Sequence, residues 1–151
     1  MCGEYHCRES LGGALAVLGP SPSQIGIPSV QMVGRLVFHN KVGENSVATH
    51  AVFTADPSPP SPYPSTTGPC LVRIHETGDL TRPATTSPSW AAFSLKPIVG
   101  ATGDGRRLSV EVELERPLKI EVGVDGIIGR RVSIWTQQGT GPVAEGIVGY
   151  N

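Results

Sequence analysis

Proline and glycine interrupt this chain far more often than a helical protein needs. Between Asp56 and Pro69 six prolines stand in fourteen residues. Each removes a backbone donor and fixes φ, so neither a helix nor a central strand runs through the stretch. It reads as an extended, polyproline-like surface loop between two strands, longer than the usual connector. Pro20 and Pro22 break the chain after Ala14–Leu18, and Pro83, Pro88 and Pro97 make residues 82–97 mostly irregular. With 19 glycines and 14 prolines in 151 residues, the whole sequence favours turns over helices.

Between the breaks the apolar residues alternate, the period of half-buried strands. Eight segments qualify: 14–18, 30–40, 46–54, 70–76, 108–115, 117–124, 131–135 and 143–148. In the second, Met32, Leu36 and Phe38 share a face opposite Arg35, Val37 and His39. In the third, Val47, Thr49, Ala51 and Phe53 are expected on one side. The cleanest is 108–115, with Leu108, Val110, Val112 and Leu114 inward and Ser109, Glu111, Glu113 and Glu115 in water. Residues 41–45 and Thr102–Gly105 read as turns, the latter of hairpin type. Trp90 and Phe93 are expected to tack the irregular loop to the core, and Ile98-Val99 to close it as a strand. The expected class is all-β, an antiparallel sandwich or barrel in one domain over 13–151, behind a flexible leader at 1–12.

Charge excludes several roles. Charged residues make up 17% of the chain and the net charge is −1, so there is no basic footprint for nucleic acid or an anionic membrane. No run is long and apolar enough to span a bilayer. The first ten residues lack a basic segment leading into an apolar block, so no secretory signal is expected and an intracellular location is. Cys2, Cys7 and Cys70 are an odd, irregular set, which fits a reducing compartment better than a disulfide framework. Cys2, His6 and Cys7 lack a matching second pair of ligands and read as part of the leader.

The most informative stretch is Val72-Arg73-Ile74-His75-Glu76-Thr77-Gly78-Asp79. Val72 and Ile74 alternate with Arg73 and His75, and Gly78 is expected to supply the positive φ of a sharp turn. The stretch resembles the copper-ligand strand of the copper/zinc superoxide dismutase family, His-x-His-Glu-x-Gly-Asp, with the first ligand replaced by arginine. Ile127-Ile128-Gly129-Arg130 is similar to the family's Ile-Ile-Gly-Arg, and Glu145-Gly146-Ile147-Val148-Gly149 to its closing Cys-Gly-Val-Ile-Gly. Leu95–Gly105 and the strand after it fall in the same order. The resemblance covers residues 14–150 and implies an eight-stranded antiparallel Greek-key barrel.

It also implies a lost active site. Of the four copper imidazoles only His75 has a counterpart. Arg73 stands at the first ligand and stays protonated, so it cannot bind metal. The bridging ligand falls near Ser89-Trp90, and the last ligand position is Trp135. The zinc loop shrinks to residues 91–93 and the electrostatic loop to Thr136–Gly141, with Pro142 at the substrate-guiding arginine. The family's loop-pinning disulfide would need cysteines near Ala84 and at Glu145. No metal, no cofactor and no catalytic residue are therefore expected. Arg73 and His75 are expected to face Trp135 and Trp90 as a filled pocket, with arginine stacked on tryptophan.

Lost ligands and shortened loops look like the superoxide-dismutase-like proteins of poxviruses. That branch implies an inactive structural or interaction protein, in the virion or host cytoplasm, with a viral or host partner. The family's two-fold contact maps onto Thr77, Gly78, Asp79, Ile128, Gly129, Arg130, Val148, Gly149 and Tyr150 as homodimer candidates. Two other classes stay open. One is an enzyme with a residual or relocated metal site drawn from Cys2, His6, Cys7, His39, His50 and His75. The other is an unrelated β-sandwich module that binds through the Pro-rich loop 56–69.

Overall fold

The structure is a computed structural model that describes residues 12–20, 33–41, 46–55, 69–96, 109–136 and 141–151. Nine strands follow in chain order: β1 Ala14–Leu18, β2 Gly34–His39, β3 Val47–Ala55, β4 Cys70–His75, β5 Ser89–Leu95, β6 Ser109–Val122, β7 Gly126–Ile128, β8 Arg131–Thr136 and β9 Pro142–Tyr150. One turn of 3-10 helix, Ala84–Thr86, is the single helical element among the described residues. None of their helices is long and apolar enough to cross a membrane. The all-β class read from the alternation is observed. The expected leader apart from Gly12, most of the Pro-rich loop, Met32, Ile98-Val99, the turns at 42–45 and 102–105, and Leu108 lie outside the described residues.

The strands form one sheet in the order β5-β4-β8-β9-β1-β2-β3-β6-β7. Neighbours are antiparallel except β6 and β7, which run parallel. Strands β2 and β5 lie far apart in this order, yet the rings of Phe38 and Phe93 meet edge to face at 6.2 Å. The sheet therefore curls on itself, with β5 packing near β6 without a ladder between them. Such a wrapped sheet has sandwich or barrel character. Its inside holds Leu18, Leu36, Phe38, Phe53, Val72, Ile74, Ile127, Val132 and Ile134, all fully buried. Burial of this apolar surface is what favours the fold, at roughly 25 cal/mol per Å².

Four expectations need correction. The described residues hold nine strands rather than eight, because segments 108–115 and 117–124 merge into β6 while β5 and β7 are added. Residues 82–97 are not mostly irregular, because Ser89–Leu95 is strand β5. Pro88 and Pro97 bracket that strand rather than interrupt it, and pairing with β4 supplies the ladder that its weak alternation hid. Val47 and Thr49 do not share the inner face with Ala51 and Phe53; Ala48 does. The β3–β6 register shifts there, and Thr49 faces Leu114 to Pro117. Pro117 has no N–H for the ladder, so the pairing breaks and the face flips. The same break makes two sequence alternations out of one strand, β6. Gly78, finally, does not have positive φ. It is needed for close approach, since a Cβ there would collide with the Gly129 carbonyl oxygen, while Gly129 itself has φ of 86°.

Candidate functional site

Strands β4 and β8 are neighbours, with Arg73 opposite Ser133 and Leu71 opposite Trp135. Side-chain period then sets Arg73 and His75 of β4 beside Arg131, Ser133 and Trp135 of β8 on one face. Between Ile74 and His75 the β4–β5 register slips: Ile74 pairs with Ala91 and His75 with Ser89. Trp90 is the extra residue, a bulge next to the histidine.

His75 is fully buried and bonded at both ring nitrogens. Nδ1 lies 3.1 Å from the Ser87 carbonyl oxygen, which can only accept, so Nδ1 carries the proton. Nε2 then accepts from the Ser133 hydroxyl at 2.6 Å. That hydroxyl oxygen in turn accepts from the Trp135 indole Nε1–H at 2.8 Å. A single relay thus runs Trp135 to Ser133 to His75 to Ser87. Burial lowers the His75 pKa, and the Arg131 and Arg73 charges push the same way against the Ser87 bond and Glu145. The ring is a neutral, satisfied partner. Arg73 lies over the Trp135 ring with its guanidinium carbon 4.7 Å from the centroid.

Trp90 does not join that stack. Its ring is covered by Arg130, with the guanidinium carbon 4.1 Å from the centroid. Arg130 also donates to four carbonyls: Gly126 at 2.6 Å, Glu76 at 2.7 Å, Val124 at 2.7 Å and Gly123 at 3.3 Å. Arg131 is buried completely and its Nη2 donates to both Glu145 carboxylate oxygens at 2.7 Å. Its Nη1 donates to the carbonyls of Arg82 at 2.7 Å and Asp79 at 3.1 Å. Only its Nε lacks a partner. The turn after β4 is thereby fastened to β8 and β9. Asp79 also caps Thr81 and faces Arg82 at 3.8 Å across an exposed gap, a contact worth little.

The other histidines lie elsewhere. His39 of β2 and His50 of β3 pair across strands, with rings stacked at 5.7 Å. His39 Nε2 and Lys41 Nζ both reach Glu111, at 3.2 and 3.0 Å. Among the described residues no group of three or more His, Cys, Asp or Glu is placed to hold a metal ion. Cys2, His6 and Cys7 lie outside the described residues, and so does the Pro-rich loop apart from Pro69. Cys70 is buried, and burial pushes its thiol up, away from reactivity.

The homodimer candidates divide. Thr77, Gly78, Asp79, Gly129 and Tyr150 are exposed, and Ile128 and Gly149 half-buried. Arg130 and Val148 turn inward, Arg130 to its carbonyls and Val148 to the core, so neither offers a side chain to a surface. Two exposed apolar residues beside them were missed: Val17 of β1, 64% exposed, and Ile147 of β9, whose Cδ1 borders Gly78. Val17 sits among inward-pointing neighbours, so alternation alone marks it as outward. Sequence reasoning also missed Ser133, Ser87 and the Arg131–Glu145 pair. The available signal was two opposite charges at strand positions otherwise apolar.

No protein-family model, no curated protein and no solved structure matches this chain.

Proposed function

We propose that this chain is a degenerate copper/zinc superoxide dismutase with the Greek-key barrel and without the metal chemistry, acting as a structural or interaction protein. The observation that carries the reading is the state of the ligand positions. The residues present do not fit copper. Arg73 and Trp135 offer no metal lone pair and are stacked on one another. His75, the remaining imidazole, has Nδ1 protonated toward Ser87 and Nε2 committed to Ser133. The strand order supports the barrel topology. Strand β3 crosses to the β4–β5 hairpin, β6 returns beside β3, and β8 returns beside β4. Long returns of this kind define Greek keys.

In the same reading two copies of the chain meet through Thr77, Gly78, Asp79, Ile128, Gly129 and Tyr150, joined by Val17 and Ile147. An isologous contact of this sort is the commonest assembly. The poxvirus resemblance makes the setting a virion or infected cell and the further partner a viral or host protein. The test is refolding with copper and zinc, followed by metal content and superoxide removal on the same sample. Protein without bound metal or activity above buffer is the expected result. Near-stoichiometric metal with activity overturns the proposal.

A further inference from the structure

A cleft of about 300 Å³ opens on the β4–β5–β8 face, lined by Pro69, Cys70, Leu71, Arg73, Ser94, Trp135 and Thr136. Among the described residues Arg73 differs from its two buried counterparts. Arg130 and Arg131 spend their donors on carbonyls and a carboxylate. Arg73 has the Trp135 ring beneath it and no hydrogen bond or ion pair with a described residue. Stacking uses the face of a guanidinium and leaves the N–H donors at its edge for an acceptor in the plane. The stack is also fixed in advance. The Trp135 indole is held by Ser133, and Ser133 by the buried His75. A cation positioned this way loses little freedom when a ligand arrives.

We propose that this cleft binds a small organic carboxylate, held by the edge of Arg73. Among the described residues one arginine lines the cleft, which matches a ligand with one negative charge rather than the two of a phosphate monoester. A carboxylate fits the guanidinium fork with two parallel bonds. The Ser94 hydroxyl, opposite Leu71 in the ladder, adds a donor at the rim, and Leu71 and Trp135 give the ligand's carbon skeleton an apolar wall. The volume suits a ring or short chain, at the lower end of small-molecule sites. This inference does not depend on the barrel's ancestry, and it holds whether or not the chain forms a dimer.

The probe is benzoate, titrated into the full chain while the Trp135 indole N–H is followed by NMR. Benzamide, of the same shape but neutral, and inorganic phosphate serve as comparators. Saturable benzoate shifts are expected, with benzamide weaker by about tenfold or more. Arg73→Gln should lose the benzoate preference while keeping a dispersed spectrum. Ser94→Ala, a milder change at the rim, should weaken benzoate by a few-fold, about what one exposed hydrogen bond gives. Equal binding of benzoate and benzamide, unchanged benzoate binding in Arg73→Gln, or no saturable shift overturns the proposal. Tighter binding of phosphate than of benzoate overturns the assignment to a carboxylate.

Discussion

Strand β8 presents Arg131, Ser133 and Trp135 to one face, and the two ends of that row have opposite fates. At the Arg131 end the segment after β4 folds over the strand. Carbonyls of Asp79 and Arg82, the Glu145 carboxylate and the Ser87 carbonyl close on Arg131 and His75. At the Trp135 end a cation of the same type lies on an aromatic ring, makes no hydrogen bond to a described residue, and has a cleft beside it. Burial decides the difference. A buried guanidinium stripped of its acceptors is strongly destabilising, whereas a half-exposed one keeps water as a partner until something displaces it.

The contrast can be broken first at Glu145. Glu145→Ala leaves a buried arginine without its carboxylate and should cost about 3–5 kcal/mol, seen as a large fall in the urea midpoint. Replacing both members, Arg131→Met with Glu145→Leu, should recover most of that loss. Next comes Ser133→Ala, which strands the acceptor of buried His75 and the donor of Trp135. The expected loss is about 1–3 kcal/mol in urea unfolding, with a shifted Trp135 indole signal.

The pH response is smaller. The folded His75 pKa lies below its ordinary value of 6.5, chiefly through burial. Below pH 6.5 the unfolded chain therefore takes up a proton that the folded chain refuses, and stability falls as pH falls through that value. It is fully present above 6.5. The slope approaches about 1.4 kcal/mol per pH unit at most. Urea midpoints at neutral and mildly acidic pH should differ less in His75→Gln than in the natural chain. The smallest effect belongs to the open end. Arg73→Gln should change stability by about 0.5–1 kcal/mol, the size of an exposed cation–π contact. A loss as large as that of Glu145→Ala would erase the distinction between the two ends.

The sequence made the open end easier to read than the covered one. Arg73 and Trp135 stand in alternating strands, and period two alone assigns their faces. Strand β5 was harder. Ser89–Leu95 has apolar residues at 90 to 93 in a row, and a bulge at Trp90 shifts one side of the strand against the other. The flip at Thr49 depends on Pro117, far along the chain, so no local pattern in 46–54 announces it. The Arg131–Glu145 pair depends on the β8–β9 register, in which Arg131 stands opposite Ile147 and Ser133 opposite Glu145. A diagonal contact of that kind follows from sheet twist and from what covers the strand, neither of which composition reveals.

The Arg131–Glu145 clamp changes what this wrapped sheet needs from its surroundings. A cystine at this place would tie assembly to an oxidant and make the finished molecule vulnerable to thiols. A guanidinium and a carboxylate find each other without any electron transfer. The segment at Asp79–Arg82 is therefore secured as soon as β8 and β9 come together, in a compartment of any thiol poise, and reducing agents have nothing there to cleave.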